Sequence, residues 1–270
     1  MPIRPISAPT RKPIRLAPVR PNLGVEAKYQ RRIDAMIAAM QRDVARTAMR
    51  AYRANPPAMA ADESPAAAMR NTMNALSRDW GKRFDDFAKS ESRSFGKAST
   101  SAATRSFAAA LKKAGFTIEF KMTAVAQDIM TATIAEQVNL IKSIPEQYLT
   151  QVEGMVMRSV QAGHDMGTLA KGLQDQYGVT KRRAALIARD QNAKATAAMT
   201  RARQDEIGIE EADWMHSSAG RVPRNTHVQN NGKRYNIKLG WLDPAVGIHI
   251  WPGTLVGCRC VSRSIIPGLE

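Results

Sequence analysis

Apolar side chains recur at steps of three and four from Val25 onward. Val25, Tyr29, Ile33, Met36, Ile37, Met40 and Val44 fall on one side of a 3.6-residue helix. The spacing predicts a helix to about Ala54, which "NPPAMAADESP" ends. Ser64 then Pro65 supply an N-cap hydroxyl and a proline at the first helical position. Met69, Met73, Leu76, Trp80, Phe84 and Phe87 continue the apolar stripe. "SFGKASTSA" reads as an interruption, followed by a short helix through Phe107 and Leu111 that stops at Gly115. "FTIEF" alternates as a short strand or an extended connection would. Residues 123–142 are helical in pattern, with Val125, Ile129, Val138 and Ile141 apolar. A further helix starts near Pro145. "DMGTLAKGLQDQYG" is a shorter one closed by Gly178, and Thr180 caps a long basic one. These Met, Leu and Ile stripes are core faces.

At about Ile209 the helical period disappears. The last sixty residues hold three of the four Trp, three of the four His and both Cys. "YNIKL", "GIHIW" and "CRCVSRSII" read as short strands joined by Gly and Pro turns, and "NNG" as a tight turn. So little chain cannot build a large core, so this module docks on the helices or is stapled. At the other end, the first 21 residues carry six prolines and five basic side chains. Such a segment is extended rather than helical. Arg4, Arg11, Lys12, Arg15 and Arg20 suit an arm that gains order on a partner. The pattern therefore divides into an arm (1–23), N-terminal helices (24–115), a helical body (116–208) and a C-terminal module (209–270). The expected fold is mainly α: an elongated helical body, a small C-terminal α+β or β-rich module and an extended N-terminal arm.

Composition adds a partner class. The chain has 270 residues, a formal charge of +16 and a pI of about 10.3, so a polyanion is the expected partner. Lys181, Arg182, Arg183 and Arg189 are the candidate DNA contacts. They act by charge alone, because no aromatics are interleaved for base stacking. No run of apolar residues is long enough to span a membrane. The basic, proline-rich start reads neither as a signal peptide nor as a transit helix. Two cysteines make no disulfide framework, and a reducing cytoplasm fits them best.

The candidate chemistry lies in the last module. His216, His227, His249, Cys258 and Cys260 fall within 45 residues, and imidazole with thiolate is a zinc ligand set. Residues i and i+2 of a strand share a face. Cys258 and Cys260 would then point inward from a closing strand, with Arg259 outward. His227 and His249 complete a Cys2His2 set, with His216 spare. On a flat strand, however, a C-x-C pair is splayed too widely for one ion. The other reading makes both cysteines small buried hydrophobes without any cofactor. Two enzymatic readings are weaker. One is a nuclease-like metal site at His227 with Asn230 and Asn231, where the only acids are Glu210, Glu211, Asp213, Asp243 and Glu270. The other is Cys258 as nucleophile with His227 as base. The chain has no G-x-S-x-G, P-loop, G-x-G-x-x-G or H-E-x-x-H motif.

Two stretches, "ADWMHSSAGRVPRNTHVQNNGKRYNI" and "IWPGTLVGCRCVSRSIIPG", resemble the phage Mu F-like head morphogenesis family, the minor head proteins of tailed phages. Trp214, Pro223, His227, Gly232, Pro252, Gly253, Cys258, Arg259 and Cys260 stand at matching places. The preceding helix "ARDQNAKATAAMTRARQDEIG" is also of the family type, so the resemblance covers roughly residues 120–270. Many members carry an Asp between the aromatic and the His; here "HSSAGR" has no acid. The resemblance implies a structural minor capsid protein rather than an enzyme. It implies a position in the virion head at the portal vertex, assembly in the host cytoplasm, and a role in head assembly and DNA packaging or delivery. The implied partners are the portal protein, the major capsid protein and packaged DNA. The alternatives are a metal-dependent, nuclease-like effector and a non-specific DNA-binding protein.

Overall fold

The structure, a computed structural model, describes residues 12–54, 64–162, 165–218, 220 and 222–267. Four long helices precede a strand-rich C-terminal part, so the fold is mainly α, as the patterning predicts. The helices are α1 (Leu23–Ala54), α2 (Pro65–Lys113), α3 (Ala124–Gln161) and α4 (Met166–Glu206). Packing divides the chain into two compact units, each assembled from separated stretches. One comprises Met1–Asn22, Lys97–Met130 and Asn192–Glu270; the other comprises Leu23–Gly96 and Thr131–Gln191.

In the second of these, every regular element among the described residues is helical. Tyr29, Ile33, Ile37, Met40, Val44, Ala48 and Tyr52 of α1 are buried. They share a core with Trp80 and Phe84 of α2, Tyr148 and Val152 of α3, and Leu173 and Ala188 of α4. A polar chain threads this core. Tyr29 donates its hydroxyl hydrogen to Gln137, Gln137 Nε2 donates to Gln191 Oε1 at 2.7 Å, and Gln191 Nε2 donates to Glu136 Oε1 at 2.8 Å. Burial, with Glu91 nearby, pushes the Tyr29 pKa well above its ordinary value, so the phenol remains a donor. Satisfied in this way, the buried amides tie α1, α3 and α4 in one register.

Three expected helix breaks are absent, and each has a local reason. Ser64 caps α2 through Ala67 N–H (3.2 Å), but the helix then runs unbroken through "SFGKASTSA". Phe95, Ser99, Thr100 and Ala102 are buried there, and close packing overrides weak helix propensity. Pro145 lies inside α3 rather than at a helix start. The lost hydrogen bond is offset by burial of the Ile144, Tyr148 and Leu149 side chains around it. Thr180 does not cap a helix. Its hydroxyl donates to the Gln176 carbonyl at 2.9 Å, and α4 passes through Gly178 and continues. The cap of α4 is Asp165, whose Oδ1 accepts from the N–H groups of Gly167 (2.9 Å) and Thr168 (3.1 Å).

The other unit holds the strands. β1 (Ile14–Arg15), β2 (Glu211–Met215), β3 (Arg234–Asn236) and β6 (Val261–Ile266) form an antiparallel sheet in the order β1-β6-β2-β3. β4 (Trp241–Asp243) and β5 (Ile248–Ile250) form a separate hairpin. The helix α5 (Asn225–Gln229) lies between β2 and β3 in the chain. "FTIEF" is a connection, not a strand; its Phe120 ring lies 5.7 Å from that of Phe107. Gln204 of α4 donates to Ser262 Oγ (3.2 Å) and Ser264 Oγ (2.7 Å), which fixes the helix end against β6. Residues 12–22 of the proline-rich segment are packed on this unit instead of being free. Ile14 pairs with Ile266, and Leu16 and Val19 are buried with Phe107, Leu111 and Trp214. Arg4 and Arg11 lie outside the described residues.

Gly240 sets the start of the β4–β5 hairpin. Its φ is +78°, and a Cβ there would lie 2.8 Å from the Ile250 carbonyl oxygen. Gly240→Ala therefore meets both left-handed strain and a backbone clash. It is expected to cost about 2–3 kcal/mol. A urea melt followed by tryptophan fluorescence checks this; an unchanged midpoint would contradict the geometry.

Candidate functional site

The last sixty residues converge on one buried cluster. His216 follows the end of β2, and its backbone N–H donates to Asn231 Oδ1 at 2.9 Å. α5 is one turn and a half long and turns His227 inward, where it is 2 % exposed. Cys258 and Cys260 lie in the irregular segment before β6, not on the strand itself, and both are buried. The segment is bent by tight turns: Cys258 N–H donates to the Leu255 carbonyl at 2.9 Å, and Gly253 holds φ +85°. A Cβ on Gly253 would sit 3.2 Å from the Ala197 methyl, so glycine lets this turn rest on α4. Bending removes the objection that a flat C-x-C pair is splayed.

Both sulfurs meet the same ring nitrogen. His227 Nδ1 lies 3.5 Å from Cys258 Sγ and 3.7 Å from Cys260 Sγ, and His216 Nδ1 lies 3.5 Å from Cys260 Sγ. The far side of the His227 ring faces a carboxylate: Nε2 is 3.3 Å from Asp243 Oδ2, close enough for an ion pair but not aligned as a hydrogen bond, and both atoms are buried without a hydrogen-bond partner. Asp243, at the end of β4, is completely buried, and its Oδ1 accepts from Ala245 N–H at 2.9 Å. Trp214 forms one wall, edge-on to His227 with centroids 5.0 Å apart.

One of the two sulfurs, that of Cys258, is set up to carry negative charge. Hydrogen bonding from the Cys260 thiol holds the Cys258 pKa well below the ordinary thiol value, and backbone N–H groups of Cys260 and Gly253 add to this against the effect of burial. Cys260 is shifted the opposite way, because it keeps the shared proton and is itself buried.

The other expected site residues are elsewhere. His249 is exposed on β5, opposite Leu242, and does not join the cluster. His216 stands where His249 was expected, and Asp243 enters as an acid no linear spacing had paired with His227. Arg259, between the cysteines, is half-buried. Asp213 Oδ2 accepts from Arg15 Nε (3.0 Å) and from Arg263 Nη2 (2.6 Å), so Arg15 of the arm is tied to the sheet. Lys12 and Arg20 are exposed. Of the candidate DNA contacts, Lys181 and Arg182 are exposed on α4 and Arg189 is half-buried. Arg183 donates to Ser143 Oγ at 2.8 Å within the helical unit.

Two chemistries suit the cluster: a metal centre, or a Cys–His–Asp nucleophile. The cavity bordered by His216, His227, Cys258 and Cys260 measures about 40 Å³. That is little more than one water molecule, so it has the size of an ion site.

Comparison with known proteins now adds a family. Residues 150–263 match the family described as phage Mu protein F like protein. This stretch of the chain is similar to that family. The match includes the end of α3, all of α4 and the cluster itself, and it agrees with the resemblance carried by "WPG" and "CRC". An uncharacterized protein of Haemophilus influenzae is 36% identical over 141 residues, which is 52% of this chain and 30% of that protein. The aligned stretch is thus less than a third of the relative's length. No solved structure matches the chain. Among the described residues, no helix is long and apolar enough to cross a membrane.

Proposed function

We propose that this chain is a structural minor head protein of a tailed phage, bound at or near the portal and acting in head assembly and DNA packaging or delivery. The observation that carries this reading is the Mu F-like match over residues 150–263. Two physical features support it. The buried His–Cys cluster borders a cavity the size of an ion, which suits a structural part. The charge of +16 suits a protein that lies beside packaged DNA. Exposed Lys181 and Arg182 would meet the phosphates by charge alone, without reading sequence. The portal and the major capsid protein are the proposed protein partners, and assembly would take place in the host cytoplasm.

Quantitative mass spectrometry of purified heads tests the reading. The chain is expected there in a few copies per particle, far below the major capsid protein, and deletion of its gene is expected to give heads that are malformed or lack DNA. Its absence from purified heads, with normal heads formed without it, would overturn the proposal.

A further inference from the structure

We propose that His216, His227, Cys258 and Cys260 form a structural zinc site, with Asp243 as the carboxylate that orients His227. Tetrahedral zinc places sulfur at about 2.3 Å and nitrogen at about 2.0 Å, so a sulfur and a nitrogen of one site lie about 3.6 Å apart. The three sulfur–nitrogen separations here are 3.5, 3.7 and 3.5 Å. The ligand atoms of His227, Cys258 and Cys260 all lie within 4.8 Å of one another, and His216 falls outside that set. His216 approaches through Cys260, at 3.5 Å, borders the same ion-sized cavity, and would close onto the ion as the fourth ligand.

The surroundings match the needs of a metal. A carboxylate can only accept, so Asp243 calls for the hydrogen on His227 Nε2. That leaves the Nδ1 lone pair directed at the sulfurs, the arrangement by which a carboxylate orients a zinc-bound imidazole. Without a metal, one imidazole lone pair faces two buried thiols and can accept from only one of them. On binding, Zn²⁺ displaces both thiol protons to solvent while the imidazoles remain neutral, so the two thiolates balance the ion's charge. The four ligands come from the end of β2, from α5 and from the turn before β6, and Asp243 brings in the β4–β5 hairpin. Zinc would therefore staple the segments that the small sheet holds only weakly.

The test uses the full chain, expressed with added zinc and purified without chelator. Metal analysis is expected to return about one zinc per chain, and Co²⁺ exchanged for it to give the visible bands of a tetrahedral site with sulfur-to-cobalt charge transfer. Cys258→Ser, Cys260→Ser and His216→Ala should lose most of the metal, while His249→Ala retains it. If the buried variants do not fold, the comparison of His216→Ala with His249→Ala decides the ligand set, since neither side chain is fully buried. Folded wild-type protein that holds less than about a tenth of a zinc per chain and takes up neither Zn²⁺ nor Co²⁺ would overturn the site. Zinc lost in His249→Ala but kept in His216→Ala would overturn the ligand set. These outcomes do not depend on whether the protein is found in heads.

Discussion

Replacing Trp214 by alanine is expected to lower the stability of the strand-containing unit by about 3–5 kcal/mol, the range for emptying an aromatic site in a core. Trp214 is the largest fully buried side chain. Its ring meets three others edge-on or tilted: His227 at 5.0 Å, Trp241 at 5.2 Å and Tyr235 at 6.1 Å. These neighbours come from α5, β4 and β3, so they cannot all collapse into the space together. The loss should be larger than for Trp214→Phe, which keeps an aromatic face against the same neighbours. Urea unfolding followed by near-UV circular dichroism measures it. A destabilisation below about 1 kcal/mol would mean that the site repacks and that Trp214 is not the centre of this core.

Phe84→Ala is expected to have an effect of similar size, about 3–5 kcal/mol, on the helical unit. Phe84 is completely buried, with Trp80 and Phe87 rings each 6.3 Å away. It shares a core with the α1 stripe, so the cavity would open among buried apolar side chains and lose dispersion contacts. Far-UV circular dichroism against urea reads this, because every regular element among the unit's described residues is helical. An unchanged transition would show that α2 contributes little to packing at this level. The two units differ in composition and core, so each variant should be fitted to its own transition rather than to one global value.

The α1 stripe was legible because the period of the apolar residues is itself the cause of the packing: Ile33, Ile37, Met40 and Val44 point to one side of any helix they form, and that side is buried. The Ser64–Pro65 start was legible for the same reason, since the cap acts within one turn. The continuity of α2 through "SFGKASTSA" and of α3 through Pro145 was not. Small or helix-breaking residues weaken a helix locally, and only burial against other segments outweighs that cost. In the cluster, the chemistry of Cys258, Cys260 and His227 and the small size of their module could be read from residue types. Bringing the sulfurs together required the turns at Gly253 and Gly257, whose left-handed backbone no spacing rule reveals.

The sequence by itself determined the helices' apolar faces, the basic character and the Mu F-like C-terminal stretch, because periodicity, charge and short ordered motifs are local properties of the chain. Only the tertiary structure decided that residues 12–22 lie on their own chain with Ile14–Arg15 as a short edge strand, that His216 rather than His249 faces the cysteines, and that Asp243 backs His227. Those are meetings between residues as far apart in the chain as Ile14 and Ile266. Strand pairing and hairpin geometry bring them about, and the favourable energy of burial appears only once the whole unit has closed.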